Sequence, residues 1–367
     1  MTTQNNPWLE KTILFTSGTG GYVRYRIPAL VSGPHGELLA FCEARRFTGQ
    51  DSDQIDLLMR RSLDGGRSFE PARLILSEDG WVCGNPAPVL DRQNGVIWLL
   101  FTKNRIVDTE ARVCRGEGQR TVWVTHSPDG GVSWATPQEI TTAVKPAGWA
   151  WYAIGPGHGI QLAGGRLLVA CDHSLVNPDT SRPPVYCSHV IYSDDHGQNW
   201  KLGGSAPAGT NECMALETSA GQVMLSCRNA PGAPLQGAPA EGAPFARVFA
   251  WSEDGGESFP RWNLDAGLPE PICQASLCRV TDAAQNGRSR AVFVNPASRS
   301  RENLTVRLSY DDCQSWTAAR QLHAGPAAYS DVCVAEDLTI ACLYEGGVAS
   351  PYETLTLARF NLAWVEK

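Results

Sequence analysis

Three arginines stand in strand or loop-start settings far apart in the chain: Arg26 in Tyr25-Arg26-Ile27-Pro28, Arg228 ending the apolar run MLSCR, and Arg301 in SRSREN. Taken singly, each reads as a solvated surface charge, because arginine is usually exposed. Arg228 differs, since it closes an apolar strand and the strand before it carries Glu212, so both side chains can face one mouth. Three guanidiniums drawn to one point repel one another unless an anion completes the site, and their planar forks suit a carboxylate best. The chain carries 31 Lys+Arg against 38 Asp+Glu, a net charge of -7. Any positive site is therefore local, and the broad attraction on which nucleic-acid and anionic-membrane binders rely is missing. Glu43 and Arg45 alternate on the run LLAFCEAR and face the same side. The loop after them, RRFTGQDSDQIDLL, offers Asp51 and Asp53, whereas Asp56 falls inside the next strand.

The elements that must bring these residues together are legible as a repeat. One octapeptide, S-x-D-x-G-x-x-[FW], recurs as SLDGGRSF (62–69), SPDGGVSW (127–134), SDDHGQNW (193–200), SEDGGESF (252–259) and SYDDCQSW (309–316), at intervals of 65, 66, 59 and 57 residues. Its chemistry is that of a tight turn: the Asp carboxylate accepts backbone N–H groups, Gly tolerates positive φ, and the aromatic re-enters an apolar layer. The last copy has Cys313 at the Gly position. Strand-like runs precede each copy (DLLMRRS, TVWVTHS, SHVIYS, ARVFAWS, LTVRLS), with two more before most of them. Three strands, a turn and a fourth strand make one propeller blade. The 367 residues hold about six such units, and a sixth box is due near residue 366, where none is found. The last unit is expected to be atypical, with Glu10–Phe15 supplying its outer strand so that no sheet edge stays open.

The Pro/Gly-rich stretch 230–244 does not disturb the repeat spacing and reads as a surface loop of one domain over residues 1–367. Twelve cysteines scattered singly through apolar runs read as buried thiols, and without a CxxC pair a zinc site is not expected. The N-terminus has no basic and then apolar leader, and no stretch approaches 18 apolar residues, so the expected location is the cytoplasm with no transmembrane segment.

Tyr25-Arg26-Ile27-Pro28 followed by five such boxes resembles the exo-α-sialidase (neuraminidase) family over nearly the whole chain. Supporting stretches are LLAFCEAR (38–45), GNPAPVLD (84–91), WYAIGPGHGIQL (151–162), NEC (211–213), VNPASRSREN (294–303), AYSD (328–331) and CLYE (342–345). The resemblance implies an all-β, six-bladed propeller in which Arg26, Arg228 and Arg301 bind the C1 carboxylate of sialic acid and Glu345 holds the first of them in position. It implies Tyr329 as nucleophile activated by Glu212, and sialidases are a recognised exception among glycosidases for this Tyr nucleophile. It puts the acid/base in the loop after Arg45, at Asp51, with Asp53 as the alternative. Arg45 would assist the substrate or hold that loop, beside Glu43. Glu110, Asn85, Asp172 and Gln274 occupy positions where polar residues contact sugar substituents. His158 and His173 have no part in such a mechanism.

The physics of the exception stands by itself: the anomeric carbon already bears a carboxylate, and a neutral phenol approaches it without the repulsion a second anion would meet. With an unperturbed pKa of about 10, that phenol needs a base within hydrogen-bond reach. The resemblance thus implies retaining hydrolysis of terminal sialic acid from sialylated oligosaccharides, glycoproteins or gangliosides, without cofactor or metal. A trans-sialidase, a hydrolase preferring the deaminated sugar Kdn, and a non-catalytic binding propeller are the other readings.

Overall fold

The structure, a computed structural model, describes residues 6–229, 245–281 and 288–367. The expected loop at 230–244 lies outside the described residues. The strands form six antiparallel four-stranded blades. Blade I comprises Arg24–Ser32, Leu38–Arg45, Ile55–Ser62 and Arg73–Leu76; blade II Trp81–Asp91, Val96–Arg105, Thr121–Ser127 and Gln138–Glu139; blade III Trp149–Ile154, Leu167–Leu175, Tyr186–Ser193 and Lys201–Ser205. Blade IV comprises Thr210–Glu217, Val223–Asn229, Ala246–Ser252 and Arg261–Pro269; blade V Ser276–Thr281, Arg290–Pro296, Glu302–Ser309 and the first half of Ala318–Val334. The second half of that long strand starts blade VI, followed by Ile340–Gly346 and Thr354–Phe360. The N-terminal strand Leu9–Thr16 completes it, pairing from Leu9 opposite Phe360 to Thr16 opposite Thr354. The chain thereby fills its last blade with its own beginning, as the missing outer strand required. The first strands of blades I and VI lie against each other, so first and last blades are neighbours.

Each box joins the third and fourth strands of its blade. In all five, the first Ser hydroxyl accepts the backbone N–H of the fifth residue at 2.8 Å. That residue has φ of 84° at Gly131 and 67° at Cys313, so the one non-glycine copy pays for its side chain with left-handed backbone. The box aromatics pack between blades: Trp134 against the layer shared by blades I and II, Trp200 between II and III, Phe259 between III and IV. The sixth such layer, between blades V and VI, has no box. Trp364, from the closing helix Leu362–Glu366, fills it against Phe360 at 4.9 Å. All twelve thiols are unpaired and, apart from half-buried Cys187, buried.

Because a box is a turn and not a site, its loss touches stability alone. Asp129 accepts the Ser133 hydroxyl at 2.5 Å, the Ser133 N–H at 2.9 Å and the Ser127 hydroxyl at 2.8 Å, and these bonds hold its carboxyl down at about 2. Asp129→Ala is expected to cost about 0.5–2 kcal/mol, the range for a lost cap, and to leave kcat and KM of the folded protein unchanged. Since the folded-state pKa is depressed, the difference in Tm from the parent should be full at pH 6 and shrink as the pH falls from 4 towards 2. A large fall in kcat with an unchanged Tm would contradict this reading.

Candidate active site

The first strands of the blades do not run regularly to the axial mouth. Their pairing registers shift between Arg26 and Ala29, Gly84 and Ala87, Thr210 and Cys213, and Ala327 and Ser330. Such bulges re-aim side chains, and Arg26, Asn85, Glu212 and Tyr329 stand in or beside them. Ile27 and Asn85 both have φ of 54°, a strained value for a β-branched residue. Second-strand carboxylates hold the bulges open: Glu345 accepts the N–H groups of Ile27 at 3.0 Å and Tyr329 at 3.1 Å, and Glu43 accepts that of Asn85 at 2.9 Å.

These side chains enclose a cavity of about 310 Å³ that brings together Arg26, Glu43, Arg45, Asp51, Asn85, Glu110, Asp172, Glu212, Arg228, Arg301 and Tyr329. Tyr329 is its hub. The phenol donates to Glu212 Oε1 at 2.5 Å and accepts from Arg228 Nη1 at 3.0 Å, while Arg228 Nη1 also donates to Glu212 Oε2 at 2.6 Å. Arg26 and Arg301 lie over the Tyr329 ring, 4.9 and 5.4 Å from its centroid. Burial and the Glu212 charge hold the phenol well above its usual range, against the pull of Arg228 and Arg301. It stays neutral until a reaction takes its proton.

Each arginine is held differently. Arg26 donates to fully buried Glu345 through Nε at 3.0 Å and Nη2 at 3.3 Å. Arg301 donates to the Tyr352 hydroxyl at 2.8 Å and the Ile272 carbonyl at 3.3 Å, and among the described residues no carboxylate lies within salt-bridge distance of it. One guanidinium of the three is thus left without an anion, which is the electrostatic signature of a site that receives one.

The two candidate aspartates separate cleanly. Asp53 Oδ2 accepts the N–H groups of Phe47, Thr48 and Gly49 and Oδ1 that of Gln54, which curls the loop and uses up the carboxylate. Asp51 rides on that curl into the cavity mouth, 69 % exposed, 2.7 Å from Arg45 and 3.6 Å from Arg26. Its desolvation there is outweighed by the two guanidiniums, which hold its carboxyl below the ordinary range. Arg45 is fixed by Glu43 at 2.7 Å and by the Gly49 carbonyl at 3.1 Å.

Glu110 begins a short helix, Glu110–Cys114, and accepts the Tyr186 hydroxyl; partial desolvation in the cavity mouth, with the Asp51 charge nearby, raises its carboxyl. Asp172 is buried in blade III, with Oδ2 accepting Asn211 Nδ2 at 3.0 Å and Oδ1 without a partner. Burial, with Glu212 and Glu110 nearby, pushes it well above its usual value and so favours the neutral acid. A carboxyl whose pKa is raised by folding costs stability as the pH rises above its unfolded value near 3.8. Asp172→Asn is therefore expected to raise Tm over the parent by an amount that grows from pH 4 to pH 7. A Tm difference independent of pH would show that Asp172 is ionised in the fold.

Gln274 is a correction. Its amide is fully buried, donates to the Ser330 carbonyl at 2.9 Å and accepts the Ser330 N–H at 3.1 Å, so it ties the segment leading into blade V to the first strand of blade VI behind the cavity and does not line it. His158 pairs with buried Asp331 at 2.8 Å, and His173 stacks on Trp149 at 3.3 Å; neither lines the cavity. Sequence reasoning missed Arg120, Trp151, Tyr186 and Asn211, which do line it. Arg120 donates to Asn85 Oδ1 at 2.5 Å and to the Tyr152 carbonyl at 2.6 Å, stacks over Trp151 at 4.1 Å, and is pushed by burial down to about 10. Nothing in its spacing marks it, since it merely precedes a strand. Among the described residues no cluster of His, Cys, Asp or Glu could hold a metal ion, and no helix is long and apolar enough to cross a membrane.

The BNR repeat-like domain family matches residues 36–342. A sialidase of Micromonospora viridifaciens is 32 % identical over 98 % of this chain, which spans 55 % of that protein's length. An exo-alpha-sialidase of Aspergillus fumigatus is 30 % identical over 94 % of this chain and 86 % of its own. Among solved structures, the Hadza microbial sialidase Hz136 superposes with a TM-score of 0.81 at 26 % identity, covering 97 % of this chain and 69 % of that one.

Proposed function

Because the chain belongs to the sialidase family of glycoside hydrolases, we propose that it is an exo-α-sialidase that releases terminal sialic acid with net retention through a sialyl-tyrosine intermediate. One observation supports the reading: the Tyr329–Glu212 hydrogen bond of 2.5 Å lies within a ring of three arginines of which Arg301 has no carboxylate partner among the described residues. A lectin has no use for a phenol bonded to a half-buried base.

In this reading the substrate carboxylate binds Arg26, Arg228 and Arg301, which brings the anomeric carbon over Tyr329. The Tyr329 oxygen attacks that carbon as its proton passes to Glu212, the glycosidic bond breaks, and Asp51 protonates the departing oxygen. Asp51 then takes a proton from water, which attacks the same carbon, and Tyr329 departs, recovering its proton from Glu212. Two displacements at one carbon give retention. The low free-state pKa of Asp51 fits this sequence, because a carboxylate on Arg26 cancels part of the positive field and raises Asp51 as the substrate binds. Asn85, Glu110 and Asp172 serve as contacts to the ring substituents, with Asp172 donating a hydrogen bond. Arg45 holds the Asp51 loop through the Gly49 carbonyl. The biological substrates are sialylated oligosaccharides, glycoproteins or gangliosides.

Incubation with a fluorogenic aryl sialoside, followed by NMR of the first sugar released, tests the proposal. Release of the α-anomer is expected; release of the β-anomer first, or no release, would overturn it. Arg301→Lys should raise KM and the Ki of carboxylate inhibitors by about tenfold or more, since an ammonium cannot make two parallel bonds to a carboxylate. Unchanged inhibitor affinity would remove Arg301 from the clamp.

A further inference from the structure

The concavity does not end at the arginine cavity. Past Asp51, Glu110, Trp151 and Tyr186, which line both spaces, it opens into a second groove of about 790 Å³ against about 310 Å³ for the cavity itself. One wall of the groove is the short helix Glu110–Cys114 of blade II, and the other is the segment 177–184 of blade III. One bond ties the walls together, the Asn177 N–H donating to the Cys114 carbonyl at 2.7 Å, and another braces the second wall itself, Asn177 Nδ2 donating to the Arg182 carbonyl at 3.1 Å. The groove is therefore a built surface between two blades.

Asp51 sets its orientation. If Asp51 protonates the glycosidic oxygen, whatever that oxygen carries begins within hydrogen-bond reach of Asp51 and must extend away from the arginines. Asp51 is one of the four residues shared with the groove. Chemically, the groove combines the flat rings of Trp151 and Tyr186 with neutral hydrogen-bonding groups such as the exposed Gln50 and Ser52, a mixture of apolar faces and a few polar groups that suits a sugar. Its charged groups, Asp51, Asp108, Glu110 and Asp179 against Arg115 and Arg182, lean acidic and disfavour an anionic occupant.

We propose that this groove binds the leaving glycan, one or two neutral sugar residues adjoining the sialic acid, and so makes the enzyme select for the glycan that bears its substrate. The inference rests on the functional reading above, and its test separates the two. Ala111 and Thr180 are exposed, line opposite walls of the groove and do not line the cavity. Ala111→Trp and Thr180→Trp are each expected to lower kcat/KM for sialyllactose by about tenfold, equivalent to one good contact of about 1.4 kcal/mol. The same variants should keep kcat/KM for a small activated aryl sialoside within about twofold and should weaken inhibition by free lactose. If neither variant changes sialyllactose turnover, or if both substrates decline in parallel in both variants, the groove is not the glycan site. A parent protein that fails to cleave even the aryl sialoside would instead overturn the functional reading, and this inference with it.

Discussion

Tyr329→Phe is expected to abolish turnover of every sialoside while leaving fold and inhibitor binding nearly intact. The hydroxyl removed is the atom that Glu212 and Arg228 both address, at 2.5 and 3.0 Å. The ring remains to pack beneath Arg26 and Arg301, so the carboxylate clamp should survive. The loss should exceed the roughly 10²–10⁴-fold ascribed to one general base. Glu212→Gln should fall within that range, because the phenol persists but its proton has nowhere to go. Both losses should be independent of the leaving group, and both should appear in kcat, with the Ki of an unsaturated sialic acid analogue within a few fold of the parent's. A Tyr329→Phe protein retaining a tenth of parental kcat would exclude Tyr329 as nucleophile.

Asp51→Ala should behave differently, because a general acid matters in proportion to how poorly the leaving group departs unaided. Sialyllactose loses an alkoxide and should be cleaved on the order of 10²–10⁴-fold more slowly. An aryl sialoside with an acidic phenol should be slowed far less, the remainder reflecting the role of the same residue in activating water. Asp53→Ala should give the opposite profile: it removes an acceptor of four backbone N–H groups, so Tm falls and both substrates are affected alike. Were Asp53→Ala to show the leaving-group dependence and Asp51→Ala not, the two roles would be exchanged.

The repeat was readable because every box must solve the same local problem: a Ser and an Asp that tie off backbone N–H groups, a left-handed fifth residue and an aromatic to wedge between blades. Spacing alone then gave six blades and the need for Glu10–Phe15 to finish the last. That Trp364 would stand in for the sixth box aromatic was not readable, since a helix cap at Asn361 replaces the turn and no motif is left. The charged half of the site was legible because arginines at strand ends are conspicuous and match the sialidase pattern. The wall was not. The bulges at Asn85, Glu212 and Tyr329 break the alternation from which side-chain direction is inferred, and Gln274, placed in the cavity by resemblance alone, precedes the first strand of blade V, where no alternation fixes a direction, and its amide points into the backbone behind the cavity. Arg120 and Asn211 enter the cavity with no periodic signal to mark them.

The central claim is that Tyr329 carries the sialyl group between the two displacements, and it can be tested by trapping. A sialosyl fluoride bearing a second fluorine at C3 should react and stall: the ring fluorine destabilises both cationic transition states, while the good leaving group restores only the first step. Peptide mapping by mass spectrometry after rapid quenching is predicted to find the fluorosialyl mass on the peptide containing Tyr329, lost again on prolonged incubation. The same mass on Glu212 or another residue, or steady turnover with no adduct at any time, would contradict the account.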